Sequence, residues 1–370
     1  MKDFPLIRSF KSAAVGTIIV SAPLLLLALS PLTGVYAALL GFYLLPAALC
    51  VTAAVCGLLP AAVNACAALF AFYRLAGGTG LMLAALYSVP LLIAYLLLMR
   101  FRVPFWKACG GMILMHLLAL AGGLAILQAM TNGDLYRAAG EGVKNWLDHW
   151  EMGDSLLYQF YAMGMIALPE NMAEQAVIET AQGYALSAAA RQDMLLSAQS
   201  MVESTLKSLI PSAIIQQSIL GGVGCMLLSI RFGTIAEERR AFRSPDSTAK
   251  ADFPDLGMQP LSLWYIPRGM GWKVGLAFVL GSVLRAMASS VPVAMAGVIL
   301  YSAACAVFTV QGAALLNFMQ KTKGTARIWR VVLPALLLML SLLSYLGIFD
   351  QIVNIRGLRK PPESKEDNGV

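Results

Sequence analysis

Few side chains in this sequence are equipped for chemistry, and most of them stand alone inside apolar runs. His116, in "GMILMHLLAL", is an imidazole able to relay a proton or hold a ligand, or to sit as a core histidine bonded to a neighbouring helix. Arg285, in "GSVLRAMASS", suits an anion site, an internal ion pair or a side chain that snorkels from a helix end to the interface. An ionisable group in hydrocarbon is costly, which makes these two the deepest candidates for function. Asn64, Gln311 and Asn317 are polar groups in apolar stretches, where amides tie helices together at about 0.6–2 kcal/mol each. Gln311 and Asn317 are six residues apart and fall on different helix faces, so they form no site by themselves. These five residues are candidates for ligand binding or helix coupling.

Asp350 and Arg356 follow the last apolar run, also six apart, and suit a structural clasp or a contact to a partner. The zinc-protease HExxH, the GxSxG elbow, the phosphate loop and GxGD are all absent. The six cysteines show neither CxxC nor a Cys/His ligand spacing, and they read as small buried apolar residues. The sequence therefore predicts no enzyme, no catalytic residue, no cofactor and no metal site.

The elements that must position these groups follow from the composition. Hydrophobic residues make up 59% of the 370 and charged residues 13%, against roughly 45–50% and about 25% in soluble proteins. Sorted into long runs, such a chain dissolves in a bilayer. A span needs about 20 mostly apolar residues. Runs of that kind lie near 12–31, 33–49, 51–73, 80–99, 107–130, 209–230, 271–288, 290–319 and 330–349. The expected fold is all-α: a polytopic integral membrane bundle of about nine transmembrane helices, between eight and ten, with a helical extracytoplasmic insertion. The parts are N-terminal helices (1–130), an acidic segment (131–208), C-terminal helices with a charged loop at 232–269 (209–349), and a charged tail (350–370).

Charge sets the expected orientation. Segment 131–208 holds ten acidic and four basic side chains, whereas 100–107, 231–250 and 321–330 are rich in Arg and Lys. Basic loops stay on the cytoplasmic side, so the acidic segment faces out. Nine helices would then put the C-terminus outside, which the basic stretch at 356–360 fits poorly. Within 131–208, Met194, Ala198, Met201, Val202, Leu206 and Leu209 recur at helical spacing and form an amphipathic face, expected to pack within its own segment. Trp146, Trp150, Tyr158 and Tyr161 suit a membrane surface. The net charge of +7 is explained by topology and needs no nucleic acid.

Small residues at four-residue spacing, Ser12/Gly16, Ala53/Gly57, Ala61/Ala65 and Gly221/Cys225, let helix backbones approach closely. The last third has a definite order of segments: "LSLWYIPRGMGW" at 261–272, "VQGAALLNFMQK" at 310–321 and "YLGIFDQIVNIRGLRK" at 345–360. This order resembles the YybS-like family of bacterial multi-pass membrane proteins, through Trp264, Ile266, Pro267, Gln311, Gly312, Gly347, Asp350 and Arg356. The resemblance is clearest over about 209–360. The family carries no established activity, and its helical core is similar to the S-components of energy-coupling-factor transporters.

The resemblance implies a small-molecule binding or transport subunit of the bacterial cytoplasmic membrane. Its partners would be the lipid bilayer, other membrane subunits or an ATP-binding-cassette module. Ser12 and Gly16 would be a docking face for such a partner, and Trp264, Pro267, Asp350 and Arg356 structural or partner contacts. The alternative expectation is a non-transporting scaffold or regulatory protein of the cell envelope.

Overall fold

A computed structural model describes residues 31–166, 177–180, 183–243, 253–254, 256–287, 290–324 and 341–358. The expected first span and the Ser12/Gly16 pair lie outside them. Nine helices are described: α1 (Pro31–Cys56), α2 (Leu58–Arg100), α3 (Phe105–Met130), α4 (Leu135–His149), α5 (Gly153–Ala162), α6 (Ala188–Arg243), α7 (Arg268–Met287), α8 (Val291–Thr322) and α9 (Leu342–Val353). One antiparallel hairpin, β1 (Val177–Thr180) with β2 (Gly183–Leu186), pairs Val177 with Leu186. The architecture is all-α with this single hairpin. Among the described residues five helices are long and apolar enough to cross a membrane: α2, α3, α6, α7 and α8.

Local chemistry sets the breaks. Gly57 separates α1 from α2 at φ 109, a left-handed conformation that costs glycine little. Pro60 follows in the first turn of α2, where its missing N–H is one of the helix's unpaired donors anyway. The guanidinium of Arg240 donates to the carbonyl of Val55, one of the orphan acceptors at the end of α1. Helix α2 is kinked where Ala76 and Gly77 leave helical geometry, just ahead of the expected start of a span at residue 80.

The chain divides into two compact units, Met1–Gly123 with Ala213–Val370, and Leu124–Ser212. In the first, Tyr87, Leu91, Tyr95 and Met99 of α2 pack with Met112 of α3 and with Met226 and Ile230 of α6. Leu59, Phe70, Ile93, Leu114, Leu118 and Val279 are exposed on the spans. That outward-apolar surface suits lipid rather than water.

In the second unit, Leu147, Leu157, Leu186, Met194, Leu195 and Ala198 form a separate core. Met194 and Ala198 pack within their own segment, but Leu209 is exposed. Ahead of that face, β2 begins at Gly183, and α6 starts only at Ala188. Arg191 bridges Asp154, at 2.7 Å, and Asp148. Because this core is small, Leu157→Ala is expected to cost about 2–4 kcal/mol. Hydrogen exchange over 153–162 and 186–198 should accelerate while α2 and α3 keep their protection.

Two further boundaries differ from expectation. Helix α6 runs past Arg231 to Arg243, because "TIAEERRAF" favours helix despite its charge. The apolar stretch at 330–349 is not one uninterrupted span: Ser341 is left-handed at φ 55, and α9 has only 12 residues. Asp350 therefore lies inside a helix rather than beyond one.

Candidate functional site

Polar side chains gather in two places within the larger unit. The first lies where α8, α9 and the segment before α7 meet. Gln311 Nε2 donates to Asp350 Oδ2 at 3.1 Å, and Gln311 Oε1 accepts from the Ile266 backbone N–H at 3.4 Å. Arg356 donates to the same carboxylate oxygen through Nε at 3.1 Å and through Nη2 at 2.7 Å. Its Nη1 donates to the Ser262 carbonyl at 2.9 Å, and its guanidinium lies 5.7 Å from the centre of the Tyr265 ring. The side chains of Asp350 and Arg356 are fully buried. Among the described residues, Asp350 Oδ1 has no hydrogen-bond partner.

Backbone proximity makes this arrangement feasible. Gly312 and Gly347 bring α8 and α9 so close that a methyl on either would overlap a carbonyl of the opposite helix. Trp264 is buried against Phe105 and Trp106, and its Nε1 donates to the Gln259 carbonyl at 2.8 Å. Pro267 is exposed, and its carbonyl accepts from Met270 and Gly271 in the first turn of α7. Since Arg356 bonds Ser262, the start of the C-terminal tail lies at the same end of this unit as the 261–266 segment.

The second gathering is in the apolar core formed by α1, α2, α3 and α6. His116 is fully buried. Its Nδ1 lies 2.9 Å from the Met112 carbonyl, which can only accept, so Nδ1 carries a proton. Nε2 is 3.9 Å from Cys225 Sγ. The Tyr87 ring meets the imidazole edge-on at 5.8 Å, and Gln217 Nε2 donates to Tyr87 Oη at 3.2 Å. Gly221 lies against the imidazole and Gly222 against the Ile113 backbone, so the Gly221/Cys225 spacing marks a true close approach of α6 to α3.

The remaining candidates do not join these groups. Asn64 is buried, and its Nδ2 donates to Thr52 Oγ1 at 3.4 Å, coupling α2 to α1. Asn317 is half-buried on α8. Arg285 is exposed in the last turn of α7, 5.6 Å from the centre of the Tyr301 ring, a position that fits snorkelling rather than a buried anion site. Sequence reasoning did not single out Tyr87, Gln217 or Ser262. A lone tyrosine or serine in an apolar run carries no spacing signal, and the pairing of Gln217 with Tyr87 spans 130 residues.

These features define an all-helical, multi-pass membrane protein. Comparison of the chain with protein-family models, curated proteins and solved structures finds no match.

Proposed function

We propose that the chain is a small-molecule binding or transport subunit embedded in the bacterial cytoplasmic membrane, built on the plan of S-components and acting with partner subunits. The observation that carries this reading is the meeting of Tyr87, His116 and Gln217, from three different spans, inside an apolar core. Ligand sites in membrane bundles are apolar chambers with a few convergent polar groups near mid-span. A hydroxyl, an imidazole and an amide suit a small neutral ligand. The order of Trp264, Gln311, Gly312, Asp350 and Arg356, read as resembling the YybS-like family, points to the same reading and to an ATP-binding-cassette partner.

A second reading, a cell-envelope scaffold or regulator, is favoured by the separately cored Leu124–Ser212 unit. It exposes the stacked pair Trp146 and Trp150 as well as Met152 and Met163.

Purification of the full-length chain in mild detergent, with mass spectrometry of what accompanies it, separates the two. Recovery of an ATP-hydrolysing pair and a stoichiometric small molecule is expected. His116→Ala should lose the small molecule while retaining the protein partners. Recovery of envelope or signalling enzymes, with neither an ATP-hydrolysing pair nor a small molecule, would overturn transport and favour the scaffold.

A further inference from the structure

Four of the long apolar helices come to an end in one place. Helix α2 ends at Arg100, α3 begins at Phe105, α7 begins at Arg268 and α8 ends at Thr322. The 261–266 segment ties these ends together. Its Trp264 ring lies 5.1 Å from that of Phe105 and 4.8 Å from that of Trp106. The Ser262 hydroxyl accepts from Lys321 Nζ at 3.4 Å, and the Ser262 carbonyl accepts from Arg356 Nη1 at 2.9 Å. Helix α7 then starts two residues after Ile266.

The surface at this end combines charge with apolar rings. Arg100, Arg102, Lys107, Lys273, Lys321 and Lys323 are exposed, and segments 100–107, 261–273 and 319–324 contain no Asp or Glu. The buried Asp350–Arg356 pair is neutral as a unit and adds no charge to this surface. Exposed rings stand directly beside the cations: Phe101 between Arg100 and Arg102, Trp106 before Lys107, and Trp272 before Lys273. A ring and a cation side by side at the end of a span match the two layers of a membrane surface. Aromatic rings favour the boundary between acyl chains and headgroups, and a cation slightly further out meets phosphate. A soluble polyanion would engage the charges but leave the rings without a partner.

We infer that this end of the larger unit is a selective binding surface for anionic phospholipids. The exposed Lys and Arg hold the phosphodiester, and Phe101, Trp106 and Trp272 sit where acyl chains meet headgroups. The contacts of Trp264 and Ser262 fix the helix ends before a lipid arrives, which lowers the ordering cost of binding and favours retained lipids over a diffuse ion atmosphere. The inference goes beyond the binding reading, because it needs neither an enclosed ligand nor a protein partner.

The test uses the full-length protein, delipidated in mild detergent and titrated with phosphatidylglycerol or with phosphatidylcholine of the same acyl chains. Native mass spectrometry counts the bound lipids. Each cation at a membrane surface is worth about fivefold in affinity for anionic lipid, so two cations on one phosphodiester give a preference of about 25-fold for phosphatidylglycerol. Lys107→Gln with Lys273→Gln should abolish that preference and leave phosphatidylcholine binding unchanged, whereas Lys107→Arg with Lys273→Arg should keep it. Lys207→Gln, which removes an exposed charge from the other unit, should have no effect. Glycerophosphoglycerol, the same headgroup without acyl chains, should not displace the lipid. Equal affinity for the two lipids in the wild type, an unchanged preference in the folded double Gln variant, or displacement by the free headgroup would each overturn the inference. If the double Gln variant does not fold, salt decides on the wild type. A preference that collapses at about 1 M salt, where the screening length is about 3 Å, supports the inference, and a salt-independent preference overturns it.

Discussion

Asp350→Ala should be among the most damaging single substitutions in the chain, lowering stability by about 3–5 kcal/mol. Three hydrogen bonds converge on Oδ2, from Gln311 and twice from Arg356, and removing the carboxylate orphans all of these donors. It also leaves the Arg356 guanidinium buried without its counter-charge. A guanidinium cannot shed its proton to escape that cost.

The reciprocal change should be milder. In Arg356→Met the carboxylate keeps its hydrogen bond from Gln311, and no cation is left buried without a partner. Asp350→Asn keeps an acceptor oxygen but loses the charge, and it should fall between the two. Joint replacement, Asp350→Leu with Arg356→Met, should recover part of the loss. A buried ion pair is often no better than a packed apolar pair, although breaking one is costly. Thermal melting of the purified protein in detergent would rank the four variants. An Asp350→Ala melting temperature within a degree or two of wild type would mean that the clasp contributes nothing.

How much of this site could be read from the sequence depends on what each residue signals locally. Long apolar runs announce spans because length and hydropathy are local quantities. Boundaries near 107–130, 271–288 and 290–319 accordingly fall close to the ends of α3, α7 and α8, while 80–99 runs from just past the Ala76–Gly77 kink to the end of α2. Asp350 and Arg356 were recognisable as a candidate clasp because two opposite charges stand six apart. That Gln311 completes it was not, since the contact spans 39 residues and depends on how closely two helices approach.

The break at Ser341 was hidden for a related reason. Serine does not demand a left-handed conformation, so nothing in "LLLMLSLLSYL" marks the break at Ser341. The hairpin at 177–186 was missed because "AVIETAQGYAL" contains more helix formers than strand formers. Its pairing, Val177 with Leu186, is itself a tertiary choice. Gly221/Cys225 was visible as a spacing, but its partner His116 was not, because small-residue spacing names a face and leaves the neighbour open.

Gly312→Ala and Gly347→Ala should be comparably disruptive, and together less than additive. A Cβ on Gly312 would overlap the Leu343 carbonyl oxygen, and one on Gly347 would overlap that of Phe308. Both obstacles are backbone atoms of a packed helix, so no rotamer change relieves them. Helices α8 and α9 must move apart, at a cost of about 1–3 kcal/mol or more for one added methyl. That separation would also stretch the Gln311–Asp350 bond, because Gln311 directly precedes Gly312 and Asp350 stands three residues after Gly347. Once one methyl has forced the helices apart, the second meets less resistance, so the double variant should fall short of the sum.

Gly224→Ala is the control. A Cβ there meets nothing within 4 Å, and the added alanine should be neutral or stabilise α6 by up to about 1 kcal/mol. Full additivity of the α8 and α9 glycine variants in thermal melting would show that the two contacts yield independently, and that α8 and α9 do not move as one packed pair.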